Sequence, residues 1–437
     1  MTTATPGAPL PTTSPAEMRK VAGASLIGSA IEWYDFFLYG TAAALVFNRL
    51  FFPESSELAG TLFAFATFGV GFFARPVGAV VCGHLGDKVG RKRMLVWTLV
   101  VMGLATALIG LLPSYATIGV AAPILLVVLR IAQGFAVGGE WGGAALMAVE
   151  HAPADRRGFY GSWPQLGVPI GLMLSTAVFA VVSQLSDEAF LAWGWRVPFV
   201  LSLLLVAVGL FIRLRVAESP VFARLQQSGE EVRAPIVEVF KRHPKQVLLS
   251  AGMRFTDNIA YYVFATFALT YLTGELGISR NVALLGVLVA SALELVLMPY
   301  FGALSDRVGR RPVMIGGSAV CGLMAFPYFV MVGTTNPYLV VLATVLMIGV
   351  GHAAVFAPLS AFFSELFGTG VRYSGTSVGF QLGALVAGAP TPFIATALLA
   401  SSDGEPWLIA GLTVIGALVT IVATWLVAET YQAKLAD

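Results

Sequence analysis

Eight ionisable residues stand in stretches that are otherwise almost wholly apolar: Glu32, Asp35, Arg75, Arg130, Glu140, Arg254, Asp257 and Glu294. Charges in hydrocarbon are costly, so such residues are functional candidates before anything else is known. Glu32 and Asp35 lie in GSAIEWYDFFLYG (28–40), three residues apart, and share one face of a helix. A buried carboxylate can exchange a proton near neutral pH when desolvation and a nearby guanidinium pull its titration in opposite directions. The chemistry open to this set is proton binding and release, together with pairing of arginine to a carboxylate, the chain's own or a ligand's.

Asp35 is the first candidate for a proton site and Glu32 its competitor; the bland reading is a static buried ion pair. At about 1.5 Å of rise per residue, Asp35 and Arg130 fall within roughly 6 Å in depth, and Arg75 and Glu140 at equal depth. Two cross-helix pairs, Asp35–Arg130 and Arg75–Glu140, are therefore expected. Arg254 and Asp257 can pair along their own helix. Gln165 and Gln381 are polar candidates for lining a cavity. The aromatic residues Trp33, Tyr34, Trp163, Tyr261 and Tyr262 lie near the same depth and could hold a cation. His352 has no evident partner and is expected as a packing imidazole. No spacing suits a metal site or a nucleophilic triad, so neither a metal, another cofactor nor enzymatic activity is expected.

The elements that must position these residues follow from composition. Of the 437 residues 57% are hydrophobic and 11% charged, where a soluble domain carries about 25% charged. Twelve apolar segments long enough to span a membrane follow one another: 21–47, 58–85, 92–112, 121–149, 158–184, 194–214, 246–273, 281–304, 311–332, 337–364, 372–400 and 406–428. The fold class expected is an all-α integral membrane protein of twelve transmembrane helices in two six-helix bundles. The bundles are 21–214 and 246–428. A polar interval, 215–245, separates them and holds Glu218, Arg224, Glu230, Glu231, Arg233, Glu238, Lys241 and Arg242; its stretch 235–243 suits a short amphipathic helix. Residues 1–20 read as a disordered tail, 429–437 as a short terminus, and Cys82 and Cys321 as apolar packing residues without a disulfide. Most of the 26 Lys and Arg fall on alternate loops, including Lys88–Arg93, Arg156–Arg157, Arg213–Lys245, Arg307–Arg311, Arg372 and Lys434. This bias places those loops and both termini in the cytoplasm.

The halves repeat one another. G-x-L-x-D-[KR]-V-G-R-[KR] occurs at 83–92 (Gly83, Asp87, Gly90, Arg91) and at 302–311 (Asp306, Arg310). Glu150 precedes Arg157 as Glu365 precedes Arg372, and Glu218 and Glu429 form a third, weaker match. Signals repeated in the same order mark an internal duplication, and duplicated halves suit a site at their interface that opens alternately to each side. Asp87 and Asp306 are expected to cap the helix that follows each loop. Arg91 and Arg310 are expected to reach Glu150 and Glu365, in a latch that also involves Arg157 and Arg372.

The doubled loop resembles the hallmark of the major facilitator superfamily. Further stretches resemble its metabolite:proton symporter family: Glu32-Trp33-Tyr34-Asp35-Phe36, Phe51-Phe52-Pro53, Ala74-Arg75-Pro76, Arg130-x-x-Gln133-Gly134 with Gly138 to Gly143, and Arg372-Tyr373-Ser374-Gly375. The resemblance covers about residues 20–430. It implies a two-bundle carrier in a bacterial inner membrane, a proton as coupling ion, and a small organic acid or zwitterion as solute: shikimate-like compounds, dicarboxylates, proline or betaine. Asp35 and Arg130 resemble the proton-site aspartate and its arginine partner in related sugar carriers. The expected partners are the solute, the proton and the lipid bilayer, with no nucleic acid, and the expected state is a monomer. Two other readings remain: a proton-coupled exporter, since Gly167-Val168-Pro169-Ile170-Gly171 faintly resembles an antiporter motif, and a nutrient sensor on a carrier fold.

Overall fold

The computed structural model describes residues 14–54, 57–219, 221–223, 235–433 and 435. Residues 1–13, Arg224, Glu230, Glu231, Arg233 and Lys434 lie outside the described residues. The described chain is helical throughout. Ten helices are long and apolar enough to cross a membrane: Ala66–Val89, Arg91–Leu111, Ala121–His151, Ala154–Val182, Asp187–Leu214, Arg280–Val308, Arg310–Gly333, Pro337–Leu366, Thr369–Ser401 and Trp407–Leu426. The first and seventh spans complete the twelve. They fall short on apolarity because they carry Glu32 with Asp35 and Arg254 with Asp257. The first span runs through residues 15–51, and the seventh through 244–275 as a series of short helical pieces broken at Arg254.

The first helix, Pro15–Ala42, starts earlier than the expected tail allows. Ser14 caps it by accepting from the Glu17 N–H at 3.2 Å. Met18 and Val21 then pack against Met147, Tyr160 and Val216, so burial of the first turns holds 15–20 in the helix. The helix expected at 235–243 is present as Pro235–Arg242. Its Val239 is buried with Ala79, Val247, Val371 and Val378, so it docks against the second, seventh and eleventh spans.

The halves meet along two symmetry-related contacts, the second span against the eleventh and the fifth against the eighth. Within the first half the second and fourth spans touch backbone to backbone. A Cβ on Gly134 would lie 2.2 Å from Gly71 O, and one on Gly71 would lie 2.7 Å from Arg130 Nε. Small residues permit this approach in a membrane, where packing and not water exclusion joins helices. Gly134→Leu should force these spans apart at a cost of about 1–3 kcal/mol or more, read as a lower melting temperature of the detergent-purified protein. Cys82 and Cys321 are buried and free.

Candidate functional site

At one end of the molecule, the basic end, the two copies of the repeated loop do the same work on opposite halves. Both described chain ends lie there, through Met18 and Leu435. Gly90 (φ +113°) and Gly309 (φ +105°) turn the chain between the second and third and between the eighth and ninth spans. A side chain is disfavoured at that φ, and a Cβ would also strike Glu218 or Glu429. Glu218 accepts from Lys92 N at 3.2 Å, and Glu429 from Arg310 N and Arg311 N at 2.9 and 3.0 Å. The weakest of the three repeat signals is thus the one that caps the third and ninth helices.

Asp87 and Asp306 do something else, which corrects the expectation from sequence. Asp87 accepts from Tyr373 N (3.1 Å), Ser374 N (2.9 Å) and Ser374 Oγ (2.8 Å), at the start of helix Arg372–Gly383 in the other half. Asp306 accepts from Gly158 N (2.7 Å) and Phe159 N (2.9 Å), at the start of Arg157–Gln165. Each carboxylate caps a helix across the bundle interface, because its own helix continues past it to Val89 or Val308. Gly83 assists: a Cβ there would lie 2.8 Å from Ser374 Cα.

The arginines lock these caps. Arg91 Nε lies 3.5 Å from Glu150 Oε2, and Arg372 Nη1 donates to Glu150 Oε1 at 3.1 Å across the interface. Symmetrically, Arg310 donates to Glu365 at 3.1 Å and to Asp306 at 2.7 Å, and Arg157 lies 3.8 Å from Glu365. All four arginines and both glutamates are at most 8% exposed in their side chains. The basic end is closed in this structure.

Between the ends, the intramembrane charges sort differently from the matched-depth expectation. Glu140 does not pair with Arg75. It is held by Arg213, at the end of the sixth span, and accepts from Thr98 Oγ1 at 2.6 Å; Arg213 also donates to Leu95 O at 2.6 Å. Depth alone cannot tell which neighbour a side chain faces, and Arg213 reads in sequence as one more loop cation. Asp35 does not touch Arg130 either. Arg130 donates to Gln133 Oε1 (3.2 Å), Gln133 Nε2 to Thr106 Oγ1 (2.6 Å), and Thr106 Oγ1 to Asp35 Oδ2 (2.8 Å). A three-step relay replaces the direct pair. The Arg130–Gln133 spacing of three residues was the one sequence signal for it.

No carboxylate oxygen lies within 4.0 Å of Arg75 or Arg130 among the described residues. Aromatic faces hold them instead: Arg130 lies 4.2 Å from the Tyr39 ring centre and 4.9 Å from that of Phe68, Arg75 4.3 Å from Phe72 and 4.9 Å from Phe36. Glu32 Oε2 and Asp35 Oδ1 are buried without hydrogen-bond partners. These four residues surround a space of about 10 Å³, also lined by Phe36, Gly71 and Gln133, which is about what one water needs.

In the second half Arg254 and Asp257 pair along one turn, and Arg254 lies 3.6 Å from the Phe380 ring centre. His352 does have a partner, contrary to expectation: its Nδ1 is 2.6 Å from Glu294 Oε1. Residues on the eighth and tenth spans, two spans apart, bear no sequence sign of meeting. Gln165 and Gln381 bridge the halves: Gln165 Nε2 donates to Phe356 O (2.9 Å) and Gln381 Nε2 to Val137 O (3.5 Å). Trp141 donates to Gln165 Oε1 at 2.8 Å and stacks on Phe380 at 3.5 Å. Trp33 and Tyr261 line the same interface, where Phe37 meets the Tyr261 ring at 6.3 Å. Tyr262 packs with Phe36 and Phe72, while Tyr34 is spent on a bond to Pro198 O (2.8 Å).

Comparison with known proteins accords with this architecture. The Major Facilitator Superfamily profile matches residues 25–388 and 251–436. The shikimate transporter of Escherichia coli K12 is 44% identical over 425 residues, 97% of each chain. The inner membrane metabolite transport protein YhjE of the same strain is 41% identical over 413 residues, 92% of this chain and 93% of the other. The proline/betaine transporter of Salmonella typhimurium LT2 is 36% identical over 397 residues, 89% of this chain and 79% of the other. Among solved structures, the proton:xylose symporter XylE bound to 6-bromo-6-deoxy-D-glucose superposes with a TM-score of 0.76 at 16% identity, over 96% of this chain and 98% of that one. These relatives are transporters and not enzymes. Duplicated halves, mirrored caps and a charged interior therefore have one common explanation: the chain is a membrane transporter belonging to the major facilitator superfamily.

Proposed function

We propose that this protein is a proton-coupled symporter that imports a small organic acid, shikimate first among them, by alternating access. The observation that carries the coupling is the set of two guanidinium groups, Arg75 and Arg130, facing Glu32 and Asp35 around a water-sized space without direct ion pairs. A solute carboxylate drawn to the arginines takes over their charge. Glu32 and Asp35 then lose the cations that offset them, and a proton restores neutrality. Solute and proton load together because each compensates the other's charge.

The basic end faces the cytoplasm of a bacterial inner membrane, by the bias of Lys and Arg. Closure of that end leaves the outward-facing or occluded part of the cycle. The solute assignment is supported by the 44% identity to the shikimate transporter over nearly the whole chain. Proline and betaine carriers are related at 36%. A quaternary ammonium needs open aromatic faces, however, and those of Phe36, Phe68, Phe72 and Tyr39 are covered by guanidinium groups.

The test is uptake of radiolabelled shikimate into proteoliposomes under an imposed pH gradient, alkaline inside. Wild-type protein should accumulate it against its gradient; Asp35→Asn should allow no more than equilibration. Accumulation indifferent to both pH gradient and voltage would overturn the symport reading. Preferential uptake of proline or betaine would replace the solute.

A further inference from the structure

Glu294 and His352 take no part in the site described above. They lie in the eighth and tenth spans and are 0% and 2% exposed. His352 Nδ1 is 2.6 Å from Glu294 Oε1; Glu294 Oε2 and the Tyr261 hydroxyl have no hydrogen-bond partner. The imidazole stacks on Phe356 at 5.1 Å and lies 5.2 Å from the Tyr261 ring. His352 also ends a stretch of wide π-helical turns, Val345–His352, an irregularity often found at functional positions.

The other intramembrane acids each have an arginine to answer them. Glu140 has Arg213, Asp257 has Arg254, and Glu32 and Asp35 face Arg75 and Arg130. Among the described residues Glu294 has only an imidazole. From the seventh span, Asp257 with its Arg254 and Tyr261 faces this pair; the ninth contributes Cys321, whose thiol points to Met347 O. The first half meets the region with apolar Phe37, Leu166 and Val168. Among the described residues no further cation neutralises the pair. With a neutral imidazole and an ionised carboxylate it would hold a net negative charge away from water, which is expensive. One added proton makes it neutral, as imidazolium with carboxylate or as imidazole with carboxylic acid; the proton belongs to the pair and not to either residue.

We infer that Glu294 and His352 form a second proton-binding site, in the C-terminal half, loaded and emptied once per transport cycle alongside the Glu32–Asp35 site. The pair ties the eighth span to the tenth, so a change in their packing as the halves rock exposes the proton to water and releases it. Two protons then accompany each solute. The coupling part of this inference rests on the symport reading; the binding of the proton does not.

Infrared difference spectra of the reconstituted protein between acid and alkaline pH, with no solute present, test the binding. A carboxyl band and imidazole ring bands should change in one step. Both should vanish in Glu294→Gln and in His352→Asn, and the carboxyl band should shift in Glu294→Asp. Spectra that match wild type in these variants overturn the site. The coupling is read from radiolabelled shikimate accumulated in proteoliposomes at zero voltage, clamped with potassium and valinomycin. Each coupled proton contributes about tenfold per pH unit of gradient, so wild type should give about a hundredfold, Glu294→Gln about tenfold, and Glu294→Asp should recover. A wild-type slope of one proton overturns the coupling role, even if Glu294→Gln does not fold. If wild type shows no dependence on the gradient while the infrared bands are present, the symport reading fails and the proton site stands.

Discussion

Arg130→Gln should abolish solute uptake without weakening the protein. Among the described residues its guanidinium has no carboxylate within ion-pair distance; it rests on Tyr39 and Phe68 and donates to Gln133. Removing it deletes a buried charge that makes no direct ion pair, and a proton on Glu32 or Asp35 can restore neutrality, so the melting temperature of the purified protein should hold or rise. Uptake should fall by about 100-fold or more, because losing a charged hydrogen-bond partner for a buried carboxylate costs about 3 kcal/mol or more. Arg130→Lys should recover little, since an ammonium cannot reproduce the planar fork. The contrast is Arg213→Gln, which strands Glu140 and should destabilise by about 3–5 kcal/mol. Uptake and thermal melting of the two variants, measured side by side, separate an arginine kept for a ligand from one kept for the fold. Equal losses of stability would reject the distinction.

Asp87→Ala combined with Asp306→Ala should open the basic end. Each carboxylate accepts two backbone N–H groups from the opposite half, and Asp87 a hydroxyl as well. Loss of a helix cap costs about 1–2 kcal/mol, so two together shift the balance between closed and open basic ends by roughly 30- to 1000-fold. Spin labels replacing the exposed Arg93 and Arg307, one in each half, report the separation by pulsed paramagnetic resonance. The double variant should move most of the population to longer distance, and uptake should fall because the outward-facing state empties. An unchanged distance distribution would mean that the glutamate–arginine pairs alone hold this end shut. Each single variant should show an intermediate shift, since the two caps are equivalent by the internal repeat.

Both predictions depend on features that differ in how legible they were. The loop motif is a local pattern of ten residues whose glycines and charges have fixed roles, so its two copies were plain. Where its aspartates reach was not. Asp87 and Asp306 lie two residues short of their helix ends and therefore point past the loop to the neighbouring bundle, which only the packing of the second span on the eleventh and of the eighth on the fifth reveals. The same limit explains Arg75 and Glu140. Equal depth along parallel rods constrains one coordinate of three; rotation about each rod decided that Glu140 meets Arg213 and that Arg75 turns to Phe72.

Hydropathy, charge bias and internal repetition by themselves determined twelve spans, two halves and the candidate residues, because the cost of exposing polar groups to lipid acts on each segment locally. Which charges meet was decided by tertiary structure alone. The relay from Arg130 to Asp35, the bridges of Gln165 and Gln381, and the Glu294–His352 pair all join residues on different spans, and their partners are set by helix rotation and close glycine packing that no single segment encodes.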